Sequence, residues 1–584
     1  MCGIFAVTGS SSDAGSQVLK GLKTLEYRGY DSWGVAVRET GSNQVKITKD
    51  VGKISDVNVP FPAGNQAVGH TRWATHGGVT KENSHPHQVG QVTLVHNGIF
   101  ENYAEHKKRF LAAGAEFSSD TDTEVIAHII SELIEDGLSP AEAIRKACDK
   151  IDGRFSILVM FDGVSGIFAA RRGSPLIIGR SENETFIASD IPAFLEKTRI
   201  VNYLDDDEMV FIENGTVQFF DLNSGESIEK RDIEVPWKLE HAEKGAYKHF
   251  MIKEIFDQKD SIARAINHED DVLNKAVELL KSSNGTYLVA CGTAHKVCLA
   301  AEYFFSQICG RKINVVAASE VPYFERFINQ RTAIVAVSQS GETADILEVF
   351  ERAKKRGAKL LSLTNVESSS VARMSDVHLP INAGPEKAVA STKATTSQMA
   401  LLLLLAYADA GKINQGRELL SITSSAINDL LNPRYEDHIR SVAAEYVNHP
   451  NLFIIGRGPL YPIALEAAIK IQEVSYIHAQ GFAAGEIKHG PLALIEEGVP
   501  CLVLGDELET ISNAIELKTR GAKIIGVSSE NADIFDHWIK VPEAGEAQAI
   551  ATLIPVQILS YHLALLRNLD PDMPRNLAKS VTVK

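Results

Sequence analysis

The sequence predicts a sheet-rich α+β domain followed by two doubly wound α/β units, on three observations. The chain has 584 residues, too many for one core, and domains of roughly 150 residues imply three or four of them. Up to about residue 224, short β-type runs such as Val92-Thr-Leu-Val-His96 and Phe155-Ser-Ile-Leu-Val-Met-Phe161 alternate with Gly, Asn and Asp turns, the pattern of a sheet-rich domain. Beyond a polar stretch at Trp237-Lys-Leu-Glu-His-Ala-Glu-Lys-Gly245, which reads as a hinge, strands alternate with helices and an internal repeat appears.

The repeat has two landmarks at nearly one offset. Tyr287-Leu-Val-Ala-Cys-Gly-Thr293 returns as Leu452-Phe-Ile-Ile-Gly-Arg-Gly458, and Lys354-Lys-Arg-Gly-Ala-Lys-Leu-Leu-Ser-Leu-Thr-Asn365 returns as Lys518-Thr-Arg-Gly-Ala-Lys-Ile-Ile-Gly-Val-Ser-Ser529. Each copy runs an apolar strand into a Gly turn, then a basic helix end and Gly into another strand. That is the βαβ signature of a doubly wound parallel sheet, present twice. Chance similarity of generic α/β units explains one landmark less well than duplication explains both. The boundaries expected are residues 1–224, a linker at 225–247, α/β units at 248–430 and 431–568, and a tail at 569–584.

Composition is that of a packed globular chain, 44% hydrophobic and 23% charged, with net charge −16. The acidic balance argues against nucleic acid or an anionic membrane as partner, since both demand basic faces. The longest apolar run, Met399–Ala408, falls short of the ~20 residues a span needs and reads as a buried helix. The N-terminus lacks the pattern of a signal peptide. Six scattered cysteines, with no Cys-x-x-Cys pair, give no metal site and suggest a reduced, cytoplasmic protein. No cofactor is expected.

Two stretches carry chemistry. Ala333-Ile-Val-Ala-Val337 runs into Ser338-Gln-Ser-Gly-Glu-Thr343 and then an amphipathic helix with Ile346, Leu347, Val349 and Phe350. Hydroxyls and free helix N–H groups at such a turn make an anion cradle. It lacks the Lys-Ser/Thr pair of a nucleotide loop, so a monophosphate fits; a plain N-capped helix fits as well. Cys291-Gly-Thr-Ala294 and Ser391-Thr-Lys393 add hydroxyls that can converge there.

The second stretch is the start, Met1-Cys-Gly-Ile-Phe-Ala-Val7. Removal of Met1 leaves Cys2 with both a thiol and an α-amine of ordinary pKa ~7.7–8.0, nucleophile and base in one residue. An incidental cysteine is the bland alternative, but the apolar run after it locks this end into a sheet. Gly69-His-Thr-Arg-Trp-Ala-Thr-His76 supplies Arg72, able to clamp a carboxylate. Val95-His-Asn-Gly-Ile99 supplies two donors to an oxyanion, and Asp120-Thr-Asp122 suits a substrate ammonium. Together they describe a pocket for a zwitterionic amino acid with a thiol at its amide.

Met1-Cys-Gly-Ile-Phe5, Leu25-Glu-Tyr-Arg-Gly-Tyr-Asp-Ser32, His70-Thr-Arg-Trp-Ala-Thr-His76, His96-Asn-Gly98 and Ser119-Asp-Thr-Asp-Thr-Glu124 closely resemble N-terminal-nucleophile glutamine amidotransferases, and the second half resembles tandem sugar-isomerase domains. The combination is similar to the isomerizing glutamine–fructose-6-phosphate aminotransferase family over essentially the whole chain. The resemblance implies sandwiched antiparallel sheets, then two sugar-isomerase domains, with glutamine and fructose 6-phosphate as substrates and ammonia passed internally. It implies Cys2 as nucleophile, Asn97 and Gly98 as oxyanion hole, Arg72, Thr75, His76 and Asp122 as glutamine ligands, and Trp73 as a gate. It assigns the sugar phosphate to Thr293, Ser338, Gln339, Ser340, Thr343, Val389 and Ser391. Glu473 matches the base that moves a proton between sugar carbons, with Lys470 beside it. His489 matches a ring-opening residue contributed across a homodimer interface, and Lys579 a Schiff-base lysine.

On spacing alone, Glu466, Lys470 and Glu473 share one helix face at i, i+4 and i+7; a solvated ion-paired face reads equally well. Ala294 stands where many relatives carry Ser, and Trp33 replaces an expected small residue. Relatives that deliver ammonia to phosphoribosyl or aspartyl acceptors need a diphosphate or ATP loop, which the second half lacks. A non-catalytic sugar-phosphate sensor predicts erosion of the chemical residues, yet all are present.

Overall fold

The computed structural model describes residues 2–42, 44–213, 215–235, 244–367 and 369–582. The chain divides into two compact units, Met1–Ala242 with Ala578–Lys584, and Glu243–Leu577. Residues 237–243 of the expected hinge lie outside the described residues.

The first unit is built on two antiparallel sheets of eight and seven strands. Strand Gly3–Gly9 lies inside the larger sheet, paired on one side with Glu184–Ala188 and on the other with Gln66–Arg72. Period-2 alternation divides its side chains. Ile4 and Ala6 join Val68 and Ala36 against Val95, Leu158, Met160 and Ala169 of the second sheet. Phe5 and Val7 point the other way, onto Val18 and Leu22 of helix Ala14–Thr24. The second sheet carries helices Asp122–Glu135 and Pro140–Cys148 on its outer face, with Val125, Ile129 and Ile144 packed on Val92, Leu94 and Ile157. The result is helix, sheet, sheet, helix, the sandwiched α+β architecture expected. The sheets extend to Ser227–Ile228 and Ile233–Glu234.

The second unit holds two parallel five-stranded sheets. The first runs in the order Asn314–Ala317, Gly285–Ala290, Thr332–Ser338, Lys359–Thr364, Val377–Pro380; the second runs His478–Ala483, Asn451–Gly456, Pro500–Leu504, Lys523–Ser528, His537–Lys540. In strand number both are 2-1-3-4-5, so the sequence repeat is a structural repeat. Its landmarks fall on equivalent strands, the first (Gly285–Ala290 and Asn451–Gly456) and the fourth (Lys359–Thr364 and Lys523–Ser528).

One continuous apolar core joins the two sheets through helices Gly292–Cys309, Lys393–Asp409, Leu460–Ser475 and Gln548–Leu566. Every residue of Lys393–Asp409 is buried, including the apolar Met399–Ala408 run that reads as a buried helix. Residues Gly545–Leu566 have a mean hydropathy of 1.7 and are long and apolar enough to cross a membrane, yet 89% of that window is buried within the unit. Thr552, Pro555, Gln557 and Ser560 interrupt it in sequence, so it does not stand out as a run. It packs on helices Leu460–Ser475 and Pro433–Tyr446.

Candidate active sites

In the first unit, strand parity brings the chemistry into the layer between the sheets. Cys2 has the parity of Ile4 and Ala6, His70 and Arg72 that of Val68, and Asn97 that of Val95, all on the inter-sheet faces. The Trp73 N–H lies 3.2 Å from Cys2 Sγ, and Asn97 Nδ2 donates to the Cys2 carbonyl at 2.9 Å. The next backbone N–H groups are held too: Gly3 donates to Thr71 Oγ1 at 3.2 Å and Ile4 to Ser189 Oγ at 3.0 Å. Burial pushes the Cys2 thiol above its ordinary value, while the Trp73 N–H and the Arg72 guanidinium favour the thiolate.

Gly98 ends its strand at φ +140°, and a Cβ there would lie 2.0 Å from the Arg154 carbonyl oxygen. Only glycine allows this turn, which brings the backbone beside Asn97. Arg72 is 3% exposed and donates to the carbonyls of Gly78 at 2.9 Å and Gly77 at 3.0 Å. Its guanidinium therefore shapes the loop that carries Trp73, Thr75 and His76. Trp73 and His76 are half-buried and Thr75 is exposed. His76 meets the edge of Tyr103 at 5.4 Å. Asp122 is buried at the start of its helix and accepts the Phe100 N–H at 2.8 Å. Asp31, which sequence reasoning left unassigned, accepts the Ala74 N–H at 2.8 Å and steadies the same loop.

In the second unit, the Ser338–Thr343 turn sits at the C-terminal end of strand Thr332–Ser338, where doubly wound sheets bind ligands. Ser338 Oγ accepts the Gly341 N–H at 3.0 Å and Ser340 Oγ the Glu342 N–H at 3.2 Å. The Gln339 carbonyl accepts the Asn365 N–H at 3.1 Å. Thr343 is the N-cap of helix Ala344–Lys355 but its hydroxyl makes no cap bond, so this is not the plain capped helix that sequence also allowed. Ser391 donates to Glu386 at 3.1 Å, and the Val389 N–H donates to the Asp572 carbonyl at 2.9 Å.

Glu466, Lys470 and Glu473 do share a helix face, and that face is not solvated. Lys470 Nζ lies 2.6 Å from Glu473 and 3.6 Å from Glu466, with Lys470 and Glu466 side chains each 1% exposed and Glu473 at 27%. Thr293 Oγ1 donates to Glu466 at 3.1 Å, tying the first repeat to the second. Burial pushes the Glu466 carboxyl up to about 7, against the pull of Lys470. A carboxyl of ordinary pKa 4.5 raised in the folded state holds an extra proton between those values. Its stabilising contribution is full below about 4.5 and is lost as pH rises through about 7. Glu466→Gln should therefore flatten the fall in thermal midpoint between about pH 4.5 and 7, a difference on the order of 3 kcal/mol across that range. Scanning calorimetry of both proteins across that range measures it; parallel profiles would refute it.

His489 lies on an exposed turn after the short helix Glu486–Lys488, and its side chain makes no hydrogen bond among the described residues. The triad and His489 are not brought together within one chain's hydrogen-bond network. Lys579 is half-buried in the tail segment that clusters with the first unit. Trp33, 4% exposed, packs in the layer under helix Ala14–Thr24 with Val35 and Val37; it is a core residue on the face away from Cys2. Ala294 packs against the apolar core of the second unit. All six cysteines are free thiols.

Comparison with known proteins accords with this geometry. The glutamine amidotransferase domain model matches residues 70–196, and the SIS domain model matches twice, at 279–408 and 445–567. The chain is 40% identical to the glutamine–fructose-6-phosphate aminotransferases (isomerizing) of Thermococcus kodakarensis and Pyrococcus horikoshii, with both chains covered in full each time. Among solved structures, the C-terminal domain of glucosamine-fructose-6-phosphate aminotransferase from Francisella tularensis is 32% identical with a TM-score of 0.52, covering 57% of this chain and all of that one. The chain belongs to the isomerizing glutamine–fructose-6-phosphate aminotransferase family.

Proposed function

We propose that the two units divide one reaction between them, the first freeing ammonia from glutamine and the second adding it to a sugar phosphate. The enzyme converts glutamine and fructose 6-phosphate into glutamate and glucosamine 6-phosphate. The observation that carries the division is the Cys2 thiol beneath the Trp73 N–H, with the Asn97 amide at 2.9 Å from the Cys2 carbonyl and Gly98 turning the backbone beside it.

In the first unit the Cys2 sulfur attacks the side-chain amide carbon of glutamine, and its own freed α-amine takes the thiol proton. Asn97 Nδ2 and the Gly98 N–H receive the oxyanion. Collapse of the tetrahedral intermediate expels ammonia and leaves a thioester, which water cleaves to glutamate. Arg72, Thr75, His76 and Asp122 hold the amino acid, and Trp73 gates the exit of ammonia toward an internal channel. In the second unit Ser338, Gln339, Ser340, Thr343, Thr293, Val389 and Ser391 form the phosphate and sugar cradle. Glu473, beside Lys470, moves the proton between the first two sugar carbons. Lys579 forms the imine with the sugar carbonyl. His489 opens the ring from a second copy of the chain, and its exposed position in one chain supports this dimeric arrangement. The unpaired cysteines support a reduced, cytoplasmic setting. The α/β domain limits proposed are 248–430 and 431–568, with an active-site tail from 569; the first domain runs past the expected limit of 224, since Ser227–Ile228 and Ile233–Glu234 still pair with its sheets.

The test is direct. Purified protein given glutamine and fructose 6-phosphate should release glutamate and glucosamine 6-phosphate in equal amounts, read by chromatography. Glutamate without aminosugar would sink the reading.

A further inference from the structure

We propose that His70 is a positioning residue for glutamine hydrolysis: its ring N–H locks the Asn97 side chain with the NH2 group, rather than the carbonyl oxygen, turned toward Cys2. The inference rests on the oxyanion-hole reading of Asn97 given above.

His70 is fully buried in strand Gln66–Arg72, on the same face as Arg72. Its Nε2 lies 3.1 Å from Asn97 Oδ1 and 3.0 Å from the His96 carbonyl oxygen. Both neighbours are oxygens without hydrogens, so Nε2 carries the proton and donates to them. The other ring nitrogen, Nδ1, is buried and takes no hydrogen bond among the described residues, consistent with the proton on Nε2. The two amide orientations of Asn97 have almost the same shape, so packing cannot choose between them. With the orientation reversed, the amide oxygen would face the Cys2 carbonyl and the amide N–H would face the His70 N–H. Both contacts would be repulsive, and the site would offer an acceptor where an oxyanion needs a donor.

The ring is held in that state by its neighbours. His85 stacks on His70 at 4.0 Å and meets the edge of His87 at 4.8 Å. His85 Nδ1 accepts the His96 N–H at 3.3 Å, and His87 Nε2 lies 3.1 Å from Thr121 Oγ1. Burial lowers all four imidazoles, His70 to about 3, with nearby Arg72 adding to the effect on His70, His85 and His87. Burial thus favours the uncharged form of every ring in the stack. A metal role is not supported, because no three His, Cys, Asp or Glu groups among the described residues converge on one point. A donor fixed before the reaction begins is what oxyanion stabilisation requires.

His70→Met fills the volume and removes the donor; His70→Gln returns an amide N–H near the Nε2 position. His70→Met should lower kcat for glutamine hydrolysis about 10²-fold with KM changed less than about threefold. Alkylation of Cys2 by iodoacetamide and fructose 6-phosphate isomerisation should proceed at wild-type rates. His70→Gln should recover about tenfold or more of the lost kcat. A wild-type kcat in His70→Met, no difference between Met and Gln, or a parallel loss of Cys2 alkylation would each overturn the proposal. A second readout is independent of any variant: ¹⁵N shifts of His70 in the wild-type protein should report a protonated Nε2 and a bare Nδ1, and the opposite tautomer would overturn it. Asn97→Ala separates the two levels. If it leaves kcat intact, the oxyanion reading itself fails; if it slows hydrolysis and His70→Met does not, the positioning role alone fails.

Discussion

Cys2→Ala is expected to reduce glutamine hydrolysis by about 10⁴-fold or more, the loss typical of deleting a covalent nucleophile, while conversion of fructose 6-phosphate to glucose 6-phosphate survives. Nothing replaces the lost sulfur. The backbone around it donates hydrogen bonds, and burial keeps the His70 ring in its neutral, donating form. The substitution is also mild for the fold. Cys2 sits just before strand Gly3–Gly9, whose pairing rests on its backbone and on Ile4, Phe5, Ala6 and Val7. Sugar isomerisation should stay within about twofold, since Glu466, Lys470 and Glu473 belong to the other unit and Lys579 is untouched by the substitution. The paired assays are glutamate release and, in a separate tube without glutamine, glucose 6-phosphate formation. Loss of both in a folded variant would show that the units do not act separately. Retention of glutamate release would show that another group attacks the amide.

Much of this was legible in sequence because the relevant signals are local. The Ser338–Thr343 turn follows an apolar strand and precedes an amphipathic helix within twenty residues, so type and position were both readable. The two sheets of the second unit were readable because duplication writes the same pattern twice. What escaped depends on pairing across the fold. Glu466, Lys470 and Glu473 look the same in sequence whether solvated or buried; the structure buries Lys470 completely, and only the packing of its helix on Gln548–Leu566 and Gly292–Cys309 decides that. Arg72 reads as a carboxylate clamp, yet its guanidinium also braces the carbonyls of the loop beyond it, a contact that strand alternation cannot reveal. His70 was in plain view beside Arg72. Its parity within the strand is the one signal that could have singled it out, since residues two apart share a face. Trp33 obeys the same rule: parity with Val35 and Val37 puts it in the helix-facing layer, which makes its bulk a matter of packing.

Lys579→Ala should give the mirror result, with glutamine hydrolysis retained and sugar turnover reduced by about 10³-fold or more, within the range for loss of a group that reacts with substrate. The tail that carries it has no helix or strand of its own from Pro571 to Thr582, so sequence alone makes it look dispensable. Its root is anything but loose. Both Asp572 carboxylate oxygens accept backbone N–H groups, from Phe250 and Met251 at 2.8 Å, and its carbonyl accepts the Val389 N–H. Lys579 lies seven positions beyond that anchor, a reach of at most about 25 Å when extended. The anchor thus limits where the amine can go and ties its base to Val389, a residue proposed for the sugar cradle. The chemistry demands a neutral amine, which attacks the sugar carbonyl and loses water to form an imine. Borohydride reduces that imine to a stable secondary amine, so the wild-type tail peptide should gain the mass of the sugar phosphate and the Lys579→Ala peptide should not. Lys579→Arg makes the sharper comparison. It keeps charge and length but stays protonated and cannot form the imine, so it should be as inactive toward the sugar as alanine. Activity in the arginine variant would mean that Lys579 serves only as a fixed positive charge beside the substrate.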